Sequence, residues 1–231
     1  KVDMYGCGIG PVTGKRNVRL VKKVLDRSVD VITLRETDSM AELRQFGVKR
    51  PEIVLSSDPA LVLSPAPEED TRLYLEKHGL DPQGKYLCFM LRTWYGFSQK
   101  TQDLAACAEY AYRTYGLTPV FLSLNVIYDT AAAQQVAAPL RCPYHILDDA
   151  AEPEMLISLL SHMSAVVSMR LHGLIFSSLS GVPLVGVSYD PKIGSFLKYL
   201  GEGSCIDLKD VTRENLTAAV DQAAASLPRR E

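Results

Sequence analysis

The sequence is poor in the features that would mark a membrane, disulfide-bonded or nucleic-acid-binding chain. It contains no run of about 18 apolar residues, so nothing in it reads as a membrane-spanning helix. Its opening residues do not have the basic, apolar and small-residue layout of a signal peptide. Neither sign of charge dominates. The 25 Lys and Arg against 27 Asp and Glu give a formal charge of -2, too little positive field for duplex nucleic acid. Cysteine is sparse and unpatterned, with five residues (Cys7, Cys88, Cys107, Cys142, Cys205) and no C-x-x-C pair. That argues against a zinc site and a disulfide framework and points to a reducing cytoplasm. No internal repeat or low-complexity tract is visible.

What is present is an alternation of short apolar runs with helical periodicities. Strands are expected at the start through Cys7 and at 30–34, 53–55, 86–91, 119–124, 144–146, 165–168, 184–187 and 205–206. Between them lie helical patterns such as Val18, Val21, Val24 and Leu25, or Leu104, Ala108, Ala111, Tyr112 and Tyr115. Ser39 with Glu42 reads as a capping box, Asp190-Pro191 as an N-cap followed by proline at the first helical position, and Leu216 to Leu227 as a closing helix that runs into Arg229-Arg230-Glu231. An aperiodic, proline-punctuated stretch from Leu63 to Asp70 suggests a linker. The fold class expected is therefore α/β with parallel sheets in two Rossmann-like domains, residues 1–65 and 66–231.

The most informative stretch is Val166 to Phe176, in which Arg170 and His172 occupy the turn between a buried strand and a helix. The free amides and positive end of such a helix attract anions, and a neighbouring guanidinium adds a planar fork for phosphate or carboxylate. Ser188-Tyr189-Asp190-Pro191-Lys192 follows the next strand and should open onto the same sheet edge. Arg92 ends another strand. Near the N-terminus, Gly6-Cys7-Gly8-Ile9-Gly10 permits positive φ and close backbone approach to a ligand, at Gly8 and Gly10 in particular, but it is not the dinucleotide fingerprint.

Taken together, Gly8-Ile9-Gly10-Pro11, Ile32-Thr33-Leu34-Arg35-Glu36 with Ser39, Ser57-Asp58-Pro59-Ala60, Met169-Arg170-Leu171-His172-Gly173 and Gly186-Val187-Ser188-Tyr189-Asp190-Pro191-Lys192 occur in the order seen in polysaccharide pyruvyl transferases. The chain resembles that family over nearly its whole length. The resemblance implies a glycosyltransferase-B-like fold and transfer of pyruvate from phosphoenolpyruvate to a sugar of an envelope or secreted polysaccharide. The sugar is often lipid-linked, the product is a ketal, phosphate is released, and no metal or cofactor is needed. It also implies that an earlier part of the first domain precedes these residues, leaving that domain incomplete here. A cytoplasmic enzyme, associating peripherally with a membrane-bound acceptor, is the expectation.

Phosphoenolpyruvate carries a phosphate and a carboxylate. On this reading Arg92 and Arg170 grip them with the helix amides, and His172 is the general acid or base. Leu171, Ser188, Tyr189, Lys192, Gly8, Gly10 and Arg35 join them as substrate-binding residues, although Arg35 with Glu36 also reads as a structural salt bridge. Two alternatives share these features: a nucleotide-sugar enzyme of the same fold, and a non-catalytic sugar-binding module.

Overall fold

The computed structural model describes residues 1–149 and 152–225. The chain divides into two compact units, Lys1–Val62 and Leu63–Glu231, and every strand pairing in both is parallel.

In the first unit, β1 (Asp3–Cys7), β2 (Val31–Leu34) and β3 (Glu52–Leu55) form a three-stranded sheet in that order. Helices α1 (Lys15–Ser28) and α2 (Thr37–Phe46) make the crossovers. Leu25, Val29, Ile32, Leu34, Leu43 and Val48 supply the core. Gly47 adopts the left-handed conformation (φ 72°) that closes α2, and Gly47 N–H donates to the Arg44 carbonyl. Ser39 does not cap α2. The helix begins two residues earlier, at Thr37, so Ser39 lies inside it and its hydroxyl serves the loop after β1 instead.

The second unit begins with α3 (Glu68–Lys77), so Glu68 and Glu69, expected in a linker, open a helix. Three acidic residues in its first turn complement the positive end of the helix. There follow β4 (Tyr86–Met90), α4 (Thr101–Tyr115), β5 (Thr118–Leu122), α5 (Val126–Ala137) and β6 (His145–Leu147). Next come α6 (Pro153–Ser161), β7 (Ala165–Ser168), α7 (Leu171–Leu179), β8 (Leu184–Ser188), α8 (Pro191–Leu200), β9 (Ser204–Asp207) and α9 (Arg213–Ala223). The six strands lie in the order β6-β5-β4-β7-β8-β9. Helices α4, α5 and α9 pack together, as do α3, α6, α7 and α8. The closing helix is described to Ala223; Leu227 and Arg229-Arg230-Glu231 lie outside the described residues.

Strands β4, β7 and β8 are buried at every position, as continuous apolar runs covered by helices on both faces require. The close seating of α7 explains Gly173. A Cβ there would stand 2.4 Å from Met90 Sδ and 2.7 Å from Ser168 Oγ. Glycine thus lets the helix start directly above the ends of β4 and β7. The chain runs outward from β4 through β5 to β6, then returns to place β7 on the other side of β4. Such a reversal, here between β4 and β7, is where open parallel sheets form a ligand crevice at the carboxyl ends of their strands.

Candidate functional site

The strand register lines up three of the residues expected at the site. Met90 pairs with Ser168, and Ser168 with Gly186. Arg92, Arg170 and Ser188 each lie two residues farther along, so they leave the sheet at one level on three adjacent strands.

Arg170 is the N-cap of α7. Ser168 fixes this turn by accepting from Arg170 N–H at 2.9 Å and donating to the Arg170 carbonyl at 2.8 Å. The Arg170 guanidinium is not an open grip. It donates from Nε (3.1 Å) and from Nη2 to the carboxylate of Asp129, a residue only 1% exposed. Asp129 also accepts from the amides of Leu124 (3.1 Å) and Asn125 (2.9 Å), which precede α5. The pair therefore joins the loops after β5 and β7 across the end of β4. No motif in the sequence singles out this carboxylate. The structure extends α5 back to Val126, with Asp129 answering amides at its start.

Arg92 is held differently. Its Nη1 donates to the Tyr189 hydroxyl at 2.8 Å, and its guanidinium carbon lies 5.0 Å from the ring centroids of both Trp94 and Tyr189. The Trp94 and Tyr189 rings are themselves 4.6 Å apart. This contact joins the loops after β4 and β8 across the end of β7. Among the described residues no carboxylate pairs with Arg92, and its buried Nε has no hydrogen-bond partner. Lys192 lies with Nζ 5.7 Å from the Tyr189 ring and 3.5 Å from Asp190, whose carboxylate caps α8 by accepting from Lys192 N–H at 3.0 Å.

The other expected residues differ in what they can offer. His172 is exposed in the first turn of α7, its ring 5.9 Å from that of Phe176. Leu171 is buried, so only its main chain is positioned to meet a ligand. Ser188 donates its hydroxyl to the Asp190 carbonyl at 3.0 Å, as Ser168 does at the neighbouring strand end. Beside this cluster lies a cleft of about 490 Å³, with walls that include Trp94, Tyr95, Gln99, Ser188, Tyr189 and Asp207.

Gly8, Gly10 and Arg35 belong to the first unit. Arg35 donates from Nη1 to the largely buried Asp58 at 2.8 Å, whereas Glu36 is 3.7 Å from its Nε, so Asp58 is its main partner. Ser39 Oγ accepts from Ile9 N–H at 2.7 Å and donates to Glu36 at 2.8 Å. Only Gly10 of the two glycines has positive φ (85°). A Cβ on Gly8 would meet Glu36 Oε1 at 2.8 Å, and one on Gly10 would meet the Glu42 carboxyl carbon at 2.6 Å. Their small size is therefore used in packing against this unit's own acidic side chains.

The sequence model of the polysaccharide pyruvyl transferase family matches residues 2–191, most of the chain. The chain belongs to that family. No curated protein matches it. Several solved structures share the fold of this pyruvyl transferase. A glycosyl transferase family 9 protein from Veillonella parvula aligns with TM-score 0.55 and 13% identity, covering 91% of this chain and 78% of the other. A UDP-GlcNAc 2-epimerase from Methanocaldococcus jannaschii, solved with UDP-GlcNAc and UDP, aligns with TM-score 0.59 and 10% identity, with coverages of 89% and 72%. HepE from Anabaena, solved with UDP-glucose, aligns with TM-score 0.59 and 12% identity, with coverages of 93% and 59%. At these identities the likeness establishes an α/β, glycosyltransferase-like fold for the transferase and leaves its substrates to be argued from the site.

Proposed function

We propose that this pyruvyl transferase takes its pyruvyl group from phosphoenolpyruvate and delivers it to two hydroxyls of one sugar in an envelope or secreted polysaccharide or its lipid-linked precursor. One hydroxyl adds to the enol carbon as the methylene carbon gains a proton and becomes a methyl group. The second hydroxyl then displaces phosphate from the same carbon and loses its proton. The products are a ketal and inorganic phosphate.

The observation that carries this reading is Arg92, a guanidinium without a carboxylate partner among the described residues, at the crevice where the strand order reverses. A small dianion needs such a grip. Arg170, balanced by Asp129, contributes directed donors more than net charge: its Nη1 makes no hydrogen bond among the described residues, and the amides at the start of α7 lie beside it. His172, exposed in that same turn, is the group assigned to proton transfer. Tyr189 orients Arg92, and Lys192, paired with Asp190, lies beside the Tyr189 ring at the rim.

Calorimetric titration with phosphoenolpyruvate tests this, with uridine diphosphate as the control. Each charge-assisted contact is worth about 1.5–3 kcal/mol, so Arg92→Ala and Arg170→Ala should each weaken binding roughly 10- to 100-fold. His172→Ala should bind the donor and lose turnover. Binding of uridine diphosphate but not phosphoenolpyruvate would refute the proposal in favour of a nucleotide-sugar enzyme.

A further inference from the structure

The cleft of about 490 Å³ shares Trp94 and Tyr189 with the Arg92 cluster, while Arg92 itself is not among its walls. Its walls come from the loop after β4 (Trp94, Tyr95, Gln99), the start of α8 (Asp190) and the segment after β9 (Asp207, Lys209). Its volume falls within the range of small-ligand sites. Two features of its chemistry are specific. Large aromatic surface is left in water at its mouth: Trp94 is 47% exposed and Tyr95 is 96% exposed. Its carboxylates are each paired with a lysine, Asp207 with Lys209 at 4.0 Å and Asp190 with Lys192 at 3.5 Å. Lys100 is further committed to the Val211 carbonyl at 2.8 Å.

With these lysines committed to carboxylates and a carbonyl, the cleft walls offer a phosphate dianion no open cationic grip of their own. Flat aromatic faces beside carboxylate and amide side chains instead match a ligand with an apolar C–H face and a rim of hydroxyls. A pyranose is such a ligand. We infer that this cleft holds the acceptor: an uncharged hexopyranose unit of the glycan rests on Trp94 and Tyr95 and is held through its hydroxyls by Gln99, Asp190 and Asp207. This assignment rests on the pyruvyl-transfer reading for the word acceptor, but sugar binding itself does not depend on it. Trp94 then has two neighbours, with Arg92 5.0 Å from its ring centroid on the donor side and the sugar on the cleft side. One residue would set the spacing between the donor grip and the hydroxyls that attack.

Trp94 is the only tryptophan of the chain, so fluorescence excited selectively at tryptophan reads this cleft directly. The probe is methyl β-D-galactopyranoside, a neutral hexoside with free 4- and 6-hydroxyls, titrated into the protein. Uridine and phosphoenolpyruvate are titrated in parallel, and saturation-transfer NMR provides the second readout. Saturable quenching or shift of Trp94 by the hexoside is expected, with Tyr95→Ala and Asp207→Asn each weakening it about 5- to 10-fold. Both side chains are exposed, so the variants should fold, and circular dichroism checks that they do. Both should still bind phosphoenolpyruvate as the unmodified chain does. No response to the hexoside in a sample that binds phosphoenolpyruvate overturns the inference and leaves the donor reading standing. Hexoside binding without phosphoenolpyruvate binding supports the cleft assignment and refutes the donor site. A response to uridine alone overturns the inference and makes the cleft a nucleoside site.

Discussion

Replacing Asp129 by alanine should destabilise the Leu63–Glu231 unit more than any other single change at the site. Its carboxylate accepts from Arg170 Nε and Nη2 and from the amides of Leu124 and Asn125. It is 1% exposed, and the Arg170 side chain is 17% exposed. Removing one member of a buried pair strands the other and costs about 3–5 kcal/mol. The residual exposure of Arg170 sets the expectation near 3 kcal/mol, a large part of the roughly 5–15 kcal/mol that holds a domain folded. The reverse change should cost less, because without Arg170 the Asp129 carboxylate keeps both amide donors. Asp129→Asn should recover little, since its NH2 would face donors on one side. Urea unfolding followed through Trp94 is the suitable assay, because the sole tryptophan reports this unit and not the Lys1–Val62 unit. A double-mutant cycle with Arg170→Ala should give a coupling well above about 0.5 kcal/mol. A loss below about 1 kcal/mol for Asp129→Ala, or additive single changes, would refute the account of Asp129 as the anchor of Arg170.

Three further outcomes follow from the geometry. Gly173→Ala must place a methyl group 2.4 Å from Met90 Sδ, and calorimetric melting should show Tm lowered by roughly 3–10 °C; an unchanged Tm would show that α7 is not seated as described. Tyr189→Phe keeps the ring beside Arg92 and removes only the 2.8 Å hydrogen bond, so phosphoenolpyruvate should bind about 2- to 10-fold more weakly by titration, and an unchanged Kd would mean that Tyr189 does not orient the grip. Burial, helped by the charge of Asp221, pushes the Cys107 thiol up to about 12, and burial with the charge of Glu109 pushes Cys142 up to about 11. The folded state therefore holds these protons above the ordinary thiol value of 9.0, at which the unfolded chain releases them. Their contribution to stability is complete below that pH and declines as pH rises through 11 and 12, so urea midpoints should fall steadily over this range and less steeply in Cys107→Ala.

Parallel strands covered on both faces are apolar at nearly every position, which is why β4, β7 and β8 were legible in the sequence. The strand-turn-helix carrying Arg170 and His172 was legible because an apolar run gives way to the helical spacing of Leu174, Ile175, Phe176 and Leu179. Asp190-Pro191 acts at the start of α8 as expected, because a cap is a local contact. What the sequence hid was contact at a distance. Ser39 has the spacing of a capping box with Glu42, yet its hydroxyl answers the amide of Ile9, thirty residues away. Asp129 lies in an alanine-rich helix of weak periodicity, and its partner is 41 residues away, just past the end of β7, a strand that is not even adjacent to β5. Only the sheet order brings the two together.

The two arginines that look alike in sequence, each just past the end of a strand, are consequently unlike in electrostatics. Arg170 enters the site already neutralised by a buried carboxylate, so its position is fixed before any ligand arrives and its remaining donors are directional. Arg92 is braced by two aromatic rings and a hydroxyl, none of which cancels its charge. On the donor reading proposed above, attraction of the anion would fall mainly to Arg92, and its alignment to Arg170 with the first turn of α7. The braces also run in opposite directions over the sheet: Asp129 to Arg170 spans the end of β4, and Arg92 to Tyr189 spans the end of β7. Each arginine is thus held by a loop from the far side of the other's strand. A shift in either loop would change both the charge and the alignment presented to the ligand.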